Sequence, residues 1–315
     1  MKTNRIILAG GSGFLGRALA SALAMRGYEP VILTRSPAPF ASGHGREIEW
    51  DGSTLGPWAE TIDGAAAVVN LAGRNVNCRY TRANRREIND SRTNSVRVIG
   101  AAIAASKAPP KVWVQAASLA IYGDAGDRWC DESAPAGEGF PVETCRLWED
   151  SFAAAQTPRT RGVLWRIGFA LGQNGGVLSM LSTLARWFIG GTTGTGRQFI
   201  SWIHVADLER MFLWAIERED VSGVFNATSP EPVTNGEFMR ELRRAVHRPW
   251  SPPAPAWTVH IGSWFLRTEA VLALTGRRCT PRRFLDLGFP FEFPTLRPAL
   301  ENLLGSGGLP ERTAK

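Results

Sequence analysis

The segment from Arg5 to Gly16 constrains the fold of this chain more than any other stretch. It begins with an apolar β-prone run, breaks into a glycine-rich turn, and continues with apolar residues at helical spacing as far as Gly27. The pattern predicts a buried parallel strand and a helix whose first N–H groups point at a phosphate. The alternative is a tight structural turn without a ligand. The residues predicted to bind a nucleotide cofactor here are Gly10, Gly13, Phe14, Leu15 and Gly16.

Predicted strands and helices alternate through the first half of the chain. After the first strand, further strands are expected at 30–34, 47–50, 66–72 and 112–116. A long helix is expected at 82–106. This alternation predicts an α/β fold, a Rossmann-type doubly wound parallel sheet with a smaller C-terminal α+β lobe for the substrate. In such a sheet, ligands bind at the carboxyl ends of the strands.

The end of the second predicted strand carries Arg35 and Ser36. An acidic residue at this position would bind the ribose hydroxyls of NAD, whereas a cation suits the additional 2′-phosphate of NADP. Arg35 therefore favours NADP or NADPH, and the alternative is a solvated arginine at a strand end. At the exit of the fourth predicted strand, we expect Leu71, Ala72 and Gly73 to lie against the same cofactor.

Composition limits the classes of function. The 315 residues suit one large domain and a smaller lobe. The formal charge is +7, but the basic residues are scattered, so we expect no nucleic-acid partner. No stretch approaches the ~20 apolar residues of a membrane span and no signal peptide is recognisable, so we expect a cytoplasmic protein without a membrane partner. The four cysteines contain no C-x-x-C pair, which argues against a disulfide framework and a metal site.

Several short runs resemble the extended short-chain dehydrogenases/reductases, and more narrowly their NAD-dependent epimerase/dehydratase-like subfamily, whose members are described as epimerase family proteins of uncertain substrate. The matching runs are GGSGFLG at 10–16, VNLAG at 69–73, SRTNS at 91–95, ASLAIYGD at 117–124, DE at 131–132, C-x-x-W-E at 145–149, GGTTGTGRQFISWIHVAD at 190–207 and NATSPEPVTNGEF at 226–238. The tail resembles that subfamily's small C-terminal module of unknown function.

The resemblance implies a division of the chain into two parts. The NADP-binding Rossmann domain would comprise residues 1–169 and 201–229, and the substrate-binding lobe residues 170–200 and 230–315. Arg166 is a further predicted cofactor contact. Relatives often pair through helices, so we expect a monomer or a homodimer.

The chain departs from this family at the catalytic residues. Typical members use a serine and a Tyr-x-x-x-Lys pair, in which the tyrosine exchanges the proton and the lysine lowers its pKa. The resemblance implies a role for Ser118, but Cys145 and Glu149 stand where the tyrosine and lysine would fall. Cys145 could donate a proton or respond to oxidants, or it could pack as a buried hydrophobe while Glu149 forms an ion pair. Tyr122 is a further candidate for the acid.

A glycine-rich loop at 190–198 precedes another predicted strand. Arg197 in this loop could bind an anionic group, and Trp202 could supply an apolar wall for a substrate, although a surface loop is the alternative. His204 also belongs to this predicted substrate site, but its position before a helix favours a structural hydrogen bond over a role as catalytic base.

Two functions of different class remain. The first is an NADP-dependent oxidoreductase or epimerase-like enzyme that acts on a small polar or carbonyl substrate. The second is a non-catalytic NADP(H)-binding redox sensor or regulatory protein. The sequence does not name the substrate, because loops rather than the fold set specificity.

Overall fold

The computed structural model describes residues 4–37, 45–173, 175–265 and 267–305. The strands are β1 (Arg5–Ala9), β2 (Glu29–Thr34), β3 (Arg46–Glu49), β4 (Ala67–Asn70), β5 (Val112–Ser118), β6 (Trp129–Cys130), β7 (Arg161–Ile167), β8 (Phe169–Leu171), β9 (Phe199–Ile200), β10 (Trp202–His204), β11 (Gly223–Ala227), β12 (Val233–Thr234) and β13 (Arg278–Cys279). The helices are α1 (Phe14–Met25), α2 (Arg82–Ala105), α3 (Phe140–Ala154), α4 (Gly176–Arg186), α5 (Val205–Glu217), α6 (Asn235–Ala245), α7 (Ala256–Phe265), α8 (Val271–Leu274), α9 (Arg282–Asp286) and α10 (Leu296–Leu304). No helix within the described ranges is long and apolar enough to cross a membrane.

Seven strands form one parallel sheet in the order β11-β7-β5-β4-β1-β2-β3. β1 lies in the middle and pairs in parallel with both β2 and β4. Because the chain moves outward from β1 first in one direction and then in the other, the sheet is doubly wound and a crevice opens at the carboxyl ends of β1 and β4. The predicted α/β fold with a Rossmann-type sheet is confirmed, and the ends of the predicted strands are shifted by only one or two residues.

The central strand contributes side chains to both faces of the sheet. Ile6 and Leu8 pack on one face with residues of α1 and α5, whereas Ile7 and Ala9 pack on the other with residues of α2 and α3. All four are fully buried, as the alternation of side chains along a strand requires when helices cover both faces. Each buried large aliphatic side chain contributes roughly 1.5–3 kcal/mol to folding.

A third apolar cluster forms beside the sheet. Helices α4, α6 and α10 surround the fully buried side chains of Trp202 and Phe238. β10, which contains Trp202, pairs in parallel with β8, whereas β11 lies at the edge of the seven-stranded sheet. Residues 201–229, which were predicted to belong to the Rossmann domain, therefore contribute both to the seven-stranded sheet and to the third apolar cluster.

Asp207 in α5 connects the C-terminal segment to the rest of the fold. Its carboxylate is fully buried and accepts the backbone N–H groups of Glu292 and Phe293, each at 2.8 Å. Arg210 donates to the same carboxylate at 3.0 Å. Hydrogen bonds to a buried charge are stronger than those between neutral groups, so this carboxylate fixes the approach to α10.

We expect Asp207→Asn to lower the free energy of unfolding by about 3 kcal/mol. The substitution removes the negative charge, and the asparagine NH₂ group would face a backbone N–H group, so that two donors meet and one hydrogen bond is lost. Asp220→Asn, which changes an exposed ion pair with Arg218, is the control and should have a much smaller effect. Urea unfolding followed by circular dichroism measures both. Equal losses in the two variants would contradict the role of Asp207.

Candidate cofactor-binding and active site

The glycine-rich turn after β1 lies unusually close to its neighbours. A Cβ atom at Gly10 would lie 2.8 Å from Cα of Ala72, and one at Gly16 would lie 2.4 Å from Cα of Gly11. Gly10 also has a φ of 73°, in the left-handed region that glycine favours. The turn therefore contacts the exit of β4 backbone to backbone, and α1 contacts the turn in the same way.

The N-terminus of α1 faces the crevice without a side-chain cap. Gly13 is the N-cap residue and forms no side-chain hydrogen bond, so the N–H groups of Phe14, Leu15 and Gly16 are free of intrahelical partners. These N–H groups and the helix dipole favour a phosphate. The residues present fit the pyrophosphate of a dinucleotide, as the sequence predicts.

The ring of Phe14 points toward the loop after β8. A Cβ atom at Gly172 would lie 2.5 Å from this ring, and one at Gly175 would lie 2.9 Å from it. Gly172 and Gly175 therefore lie close to the ring because neither has a side chain. Phe14 thus connects the phosphate-binding turn to the segment that leads into α4.

Arg35 and Ser36 lie on the surface just beyond β2. The preceding residue is anchored to the phosphate-binding turn, since the Thr34 hydroxyl donates to the Ser12 hydroxyl at 3.1 Å. Within the described ranges, the Arg35 side chain forms no hydrogen bond or ion pair. Arg35 thus has an exposed side chain at the end of β2, where the sequence predicts a contact with the 2′-phosphate of NADP.

Asn70 fixes the exit of β4. Its side-chain oxygen accepts the N–H of Ala72 at 3.0 Å, and its amide nitrogen donates to Gln115 at 3.0 Å and to Ser95 at 3.2 Å. β4 ends at Asn70 rather than at the predicted Ala72 because this side chain replaces the next strand contact. This role was not predicted from the sequence, where the only signal was the presence of two polar residues, Asn70 and Gln115, in otherwise apolar strands.

Ser118 ends β5 and begins a 3₁₀ turn at 119–122. Its hydroxyl accepts the N–H of Ala120 at 3.1 Å, and the residue is partly exposed. The carboxyl end of β5 therefore presents a hydroxyl at the predicted position in the crevice.

Tyr122 ends the same turn, but its side chain is fully buried. The hydroxyl lies 2.8 Å from the side-chain oxygen of Asn226 and 2.8 Å from the carbonyl of Asp131, and it accepts a hydrogen bond from Arg166 at 2.8 Å. Burial raises the pKa of this phenol well above its usual range. The sequence suggested Tyr122 as a candidate for the catalytic acid. The structure instead places its hydroxyl inside a buried polar network.

Arg166 and Glu149 form a two-pronged ion pair within this network. The guanidinium donates to the two carboxylate oxygens at 2.9 and 2.8 Å, and both side chains are largely buried. Arg166 is thus bound to Glu149 and Tyr122 in the interior, and its predicted contact with a cofactor stays a prediction. One interpretation of the sequence expected Glu149 to form an ion pair on the surface of its helix. Glu149 does form an ion pair, but in the interior of the protein.

Cys145, one turn before Glu149 in α3, is only 3% exposed. Burial, together with the carboxylate of Glu149, raises the pKa of its thiol to about 12, against the opposing charges of Arg92, Arg277 and Arg166. The thiol is therefore neutral at physiological pH. This environment supports the interpretation of Cys145 as a packed apolar group.

The predicted substrate residues 197 and 202 have different environments. Arg197 is exposed, and its backbone N–H donates to the Thr195 hydroxyl at 3.3 Å. Trp202 is 0% exposed and its indole N–H donates to the carbonyl of Glu231 at 2.9 Å. Trp202 therefore has no free face for a substrate, because β10 directs it into the apolar cluster between α4, α6 and α10.

His204 caps α5. Its Nδ1 accepts the N–H of Ala206 at 3.1 Å, and its ring stacks on Phe293 with the centroids 3.9 Å apart. Burial lowers the pKa of the imidazole, which favours the neutral form that accepts this hydrogen bond. The structural interpretation of His204 accounts for these contacts, whereas a substrate contact is not needed to explain them.

Arg92 was missed by the sequence analysis. A Cβ atom at Gly73 would lie 3.3 Å from the Arg92 guanidinium carbon, so this cation lies directly beside the exit of β4. It stacks over Trp148 at 4.9 Å and donates to the carbonyls of Arg74 and Ile88. Its membership of the SRTNS run at 91–95 was the only signal in the sequence.

Comparisons with known proteins agree with this architecture. Residues 6–228 match the NAD dependent epimerase/dehydratase family, and residues 254–303 match a domain of unknown function, DUF1731. The chain belongs to the NAD dependent epimerase/dehydratase family. This membership confirms the resemblance noted in the sequence.

Individual family members align with nearly the whole chain. Epimerase family protein SDR39U1 of Bos taurus is 34% identical, over 95% of this chain and 99% of its own length. Epimerase family protein YfhF of Bacillus subtilis is 32% identical, over 95% and 97%. The crystal structure of human SDR39U1 with NADPH superposes with a TM-score of 0.84 and 33% identity, and it covers 96% of this chain and 99% of that one.

The raised pKa of Cys145 makes its reactivity strongly dependent on pH. Because only the thiolate is alkylated, we expect its reaction with iodoacetamide to accelerate about tenfold per pH unit between about pH 7 and pH 10, with no plateau. Peptide mass spectrometry measures the rate, with the partly exposed Cys78 as an internal reference and Cys145→Ser as a control for peptide assignment. A plateau below about pH 9 would show a thiol that is activated rather than neutral.

Proposed function

We propose that this protein binds NADP(H) at the carboxyl edge of the sheet and acts as an oxidoreductase or epimerase-like enzyme on a small polar or carbonyl substrate. The uncapped N-terminus of α1, which lies against the exit of β4 through Gly10, is the observation that carries the proposal. The presence of NADPH in the crystal structure of human SDR39U1 supports it. The family match supports a dinucleotide in this crevice.

Each part of the crevice has a role in this proposal. The first turn of α1 would bind the pyrophosphate, Arg35 the 2′-phosphate, and the exit of β4 the adjoining ribose. Ser118 would orient a polar group of the substrate at the end of β5. The bound nicotinamide supplies hydride transfer, and the protein supplies position and electrostatics.

The proton chemistry must differ from that of typical family members. Four residues after the three tyrosines stand Ile32, Asn84 and Gly126, so no Tyr-x-x-x-Lys pair exists. The Tyr122 phenol is enclosed in the interior network and the Cys145 thiol is neutral. Reduction of an activated carbonyl or double bond, which needs less help from an enzymic base, therefore fits the site better than nucleotide-sugar epimerisation.

The same burial of Tyr122 and Cys145 favours a second candidate function. A protein that binds NADP(H) without turnover would need the phosphate-binding turn but no exposed proton donor. In that case the protein would report the cofactor's redox state to a partner. Turnover of any substrate separates the two candidates.

We expect tighter binding of NADPH than of NADH, by about ten- to a hundredfold, because a charge-assisted contact with the 2′-phosphate is worth roughly 1.5–3 kcal/mol. Arg35→Asp should abolish this preference. Arg46→Asp makes the same charge change on the surface at the opposite, amino end of the sheet, and should preserve it. Fluorescence titration of both cofactors with the wild type and the two variants measures the six affinities. An unchanged preference in Arg35→Asp would rule out the assigned contact.

We also expect poor turnover of nucleotide sugars. Positioned proton transfer typically contributes ~10²–10⁴-fold to such reactions, and this site lacks the phenol and ammonium that supply it. Purified protein with NADP⁺ or NADPH should be assayed with a panel of UDP- and GDP-sugars and, separately, with carbonyl and enone compounds. Epimerisation of any nucleotide sugar at about 1 s⁻¹ or faster would show that another residue performs the proton transfer.

A further inference from the structure

Arg277 lies at the junction between the C-terminal segment and the crevice. Its N–H donates to the carbonyl of Phe199 at 3.0 Å, and its carbonyl accepts the Ser201 hydroxyl at 2.9 Å. The N–H of the preceding Gly276 donates to the carboxylate of Asp124 at 3.1 Å. These contacts fix the backbone of Arg277 between β9 and the loop that follows the 3₁₀ turn at 119–122.

The direction of its side chain follows from β13. Arg278 stacks over Trp129 at 4.0 Å and over Phe199 at 4.7 Å on one face of this strand. Because successive side chains alternate, Arg277 and Cys279 lie on the opposite face. Cys279 is fully buried there.

That opposite face meets the end of β5. Cys279 packs in one apolar cluster with Leu119, Tyr122 and Cys145, which lie around the turn that Ser118 begins. The positive charge of Arg277 acts on the Cys145 thiol, as does that of Arg92. Both guanidinium groups therefore lie near Cys145, beside the turn that follows β5.

Neither cation forms an ion pair with a described acidic side chain, although the Asp124 carboxylate is near enough for its charge to act on Arg277. The Arg277 side chain forms no hydrogen bond or ion pair with any residue in the described parts of the chain. Arg92 donates only to backbone carbonyls of described residues. The neighbouring carboxylate of Glu149 is committed to Arg166. Burial is the main cause that lowers the pKa of both guanidinium groups.

Buried charges without partners are costly, and their cost is recovered when a ligand of opposite charge binds. A guanidinium matches the planar, two-oxygen geometry of a carboxylate. We infer that the substrate is a small carboxylate, bound by Arg277 with Arg92 as the second cation, and that its reacting carbon lies beside Ser118. This inference rests on the proposed function, because it places the substrate at the nicotinamide end of the crevice.

The test compares Arg277→Gln with the matched variant Arg278→Gln, which removes the neighbouring charge on the opposite face of β13. Isothermal titration of the NADPH-loaded protein should use pyruvate, 2-oxoglutarate and phenylpyruvate, each beside its neutral methyl ester. We expect at least one acid to bind, its ester to bind at least about tenfold more weakly, and Arg277→Gln to weaken the acid by about tenfold or more. Arg278→Gln should leave its affinity within about twofold.

Several outcomes would overturn the inference. The first is that none of the three acids binds at about 10 mM to protein that binds NADPH. The second is that acid and ester bind equally well. The third is that the wild type and Arg277→Gln bind the acid with equal affinity. A loss of NADPH affinity in Arg277→Gln, with the acid unaffected, would assign this cation to the cofactor instead. Dihydroxyacetone phosphate is added as a further probe, and tighter binding of this phosphate than of every acid would also exclude the carboxylate.

The proposed function can fail separately. If the acids bind and respond to Arg277→Gln but NADPH does not bind, the anion site stands and the cofactor proposal is wrong. Thermal unfolding of Arg277→Gln and Arg277→Lys controls for misfolding. Because lysine retains the charge without the planar fork, Arg277→Lys should recover part of the acid affinity.

Discussion

The buried ion pair between Glu149 and Arg166 is the interaction on which the centre of this protein depends. It joins α3 to β7, and through the Tyr122 hydroxyl it reaches Asn226 in β11. Removal of one partner from such a pair typically costs about 3–5 kcal/mol, because the other charge is left unpaired in the interior. The network therefore holds the carboxyl end of β5 in place, where Ser118 faces the crevice.

This network also changes the chemistry available to the site. In the family to which the chain belongs, the corresponding helix presents a proton-transfer pair to the substrate, as the sequence resemblance implies. Here α3 presents Cys145, a neutral thiol, and directs Glu149 inward to Arg166. Arg92 and Arg277 add positive charge near this thiol. Recognition of an anion is thus better supported by the geometry than acid–base catalysis by side chains.

The C-terminal segment contributes to the crevice as well as to the fold. Asp207 fixes one part of this segment through two backbone N–H groups, and β13 pairs with β6 close to the 3₁₀ turn that follows β5. Arg277 reaches the crevice only because these contacts bring residues far apart in the chain together. Arg277 belongs to the domain of unknown function at 254–303, so under the inference above this domain would influence which ligand binds.

The sequence alone determined the parallel sheet, the phosphate-binding turn and the position of Arg35 at the end of β2, because these features depend on local periodicity, glycine spacing and strand order. Only the tertiary structure decided that Tyr122 and Trp202 are buried, that Arg166 pairs with Glu149, and that Arg92 and Arg277 lie near Cys145. Those outcomes depend on contacts between residues separated by tens to hundreds of positions. Residue type indicates which partners a side chain can accept, but packing decides which of them it meets.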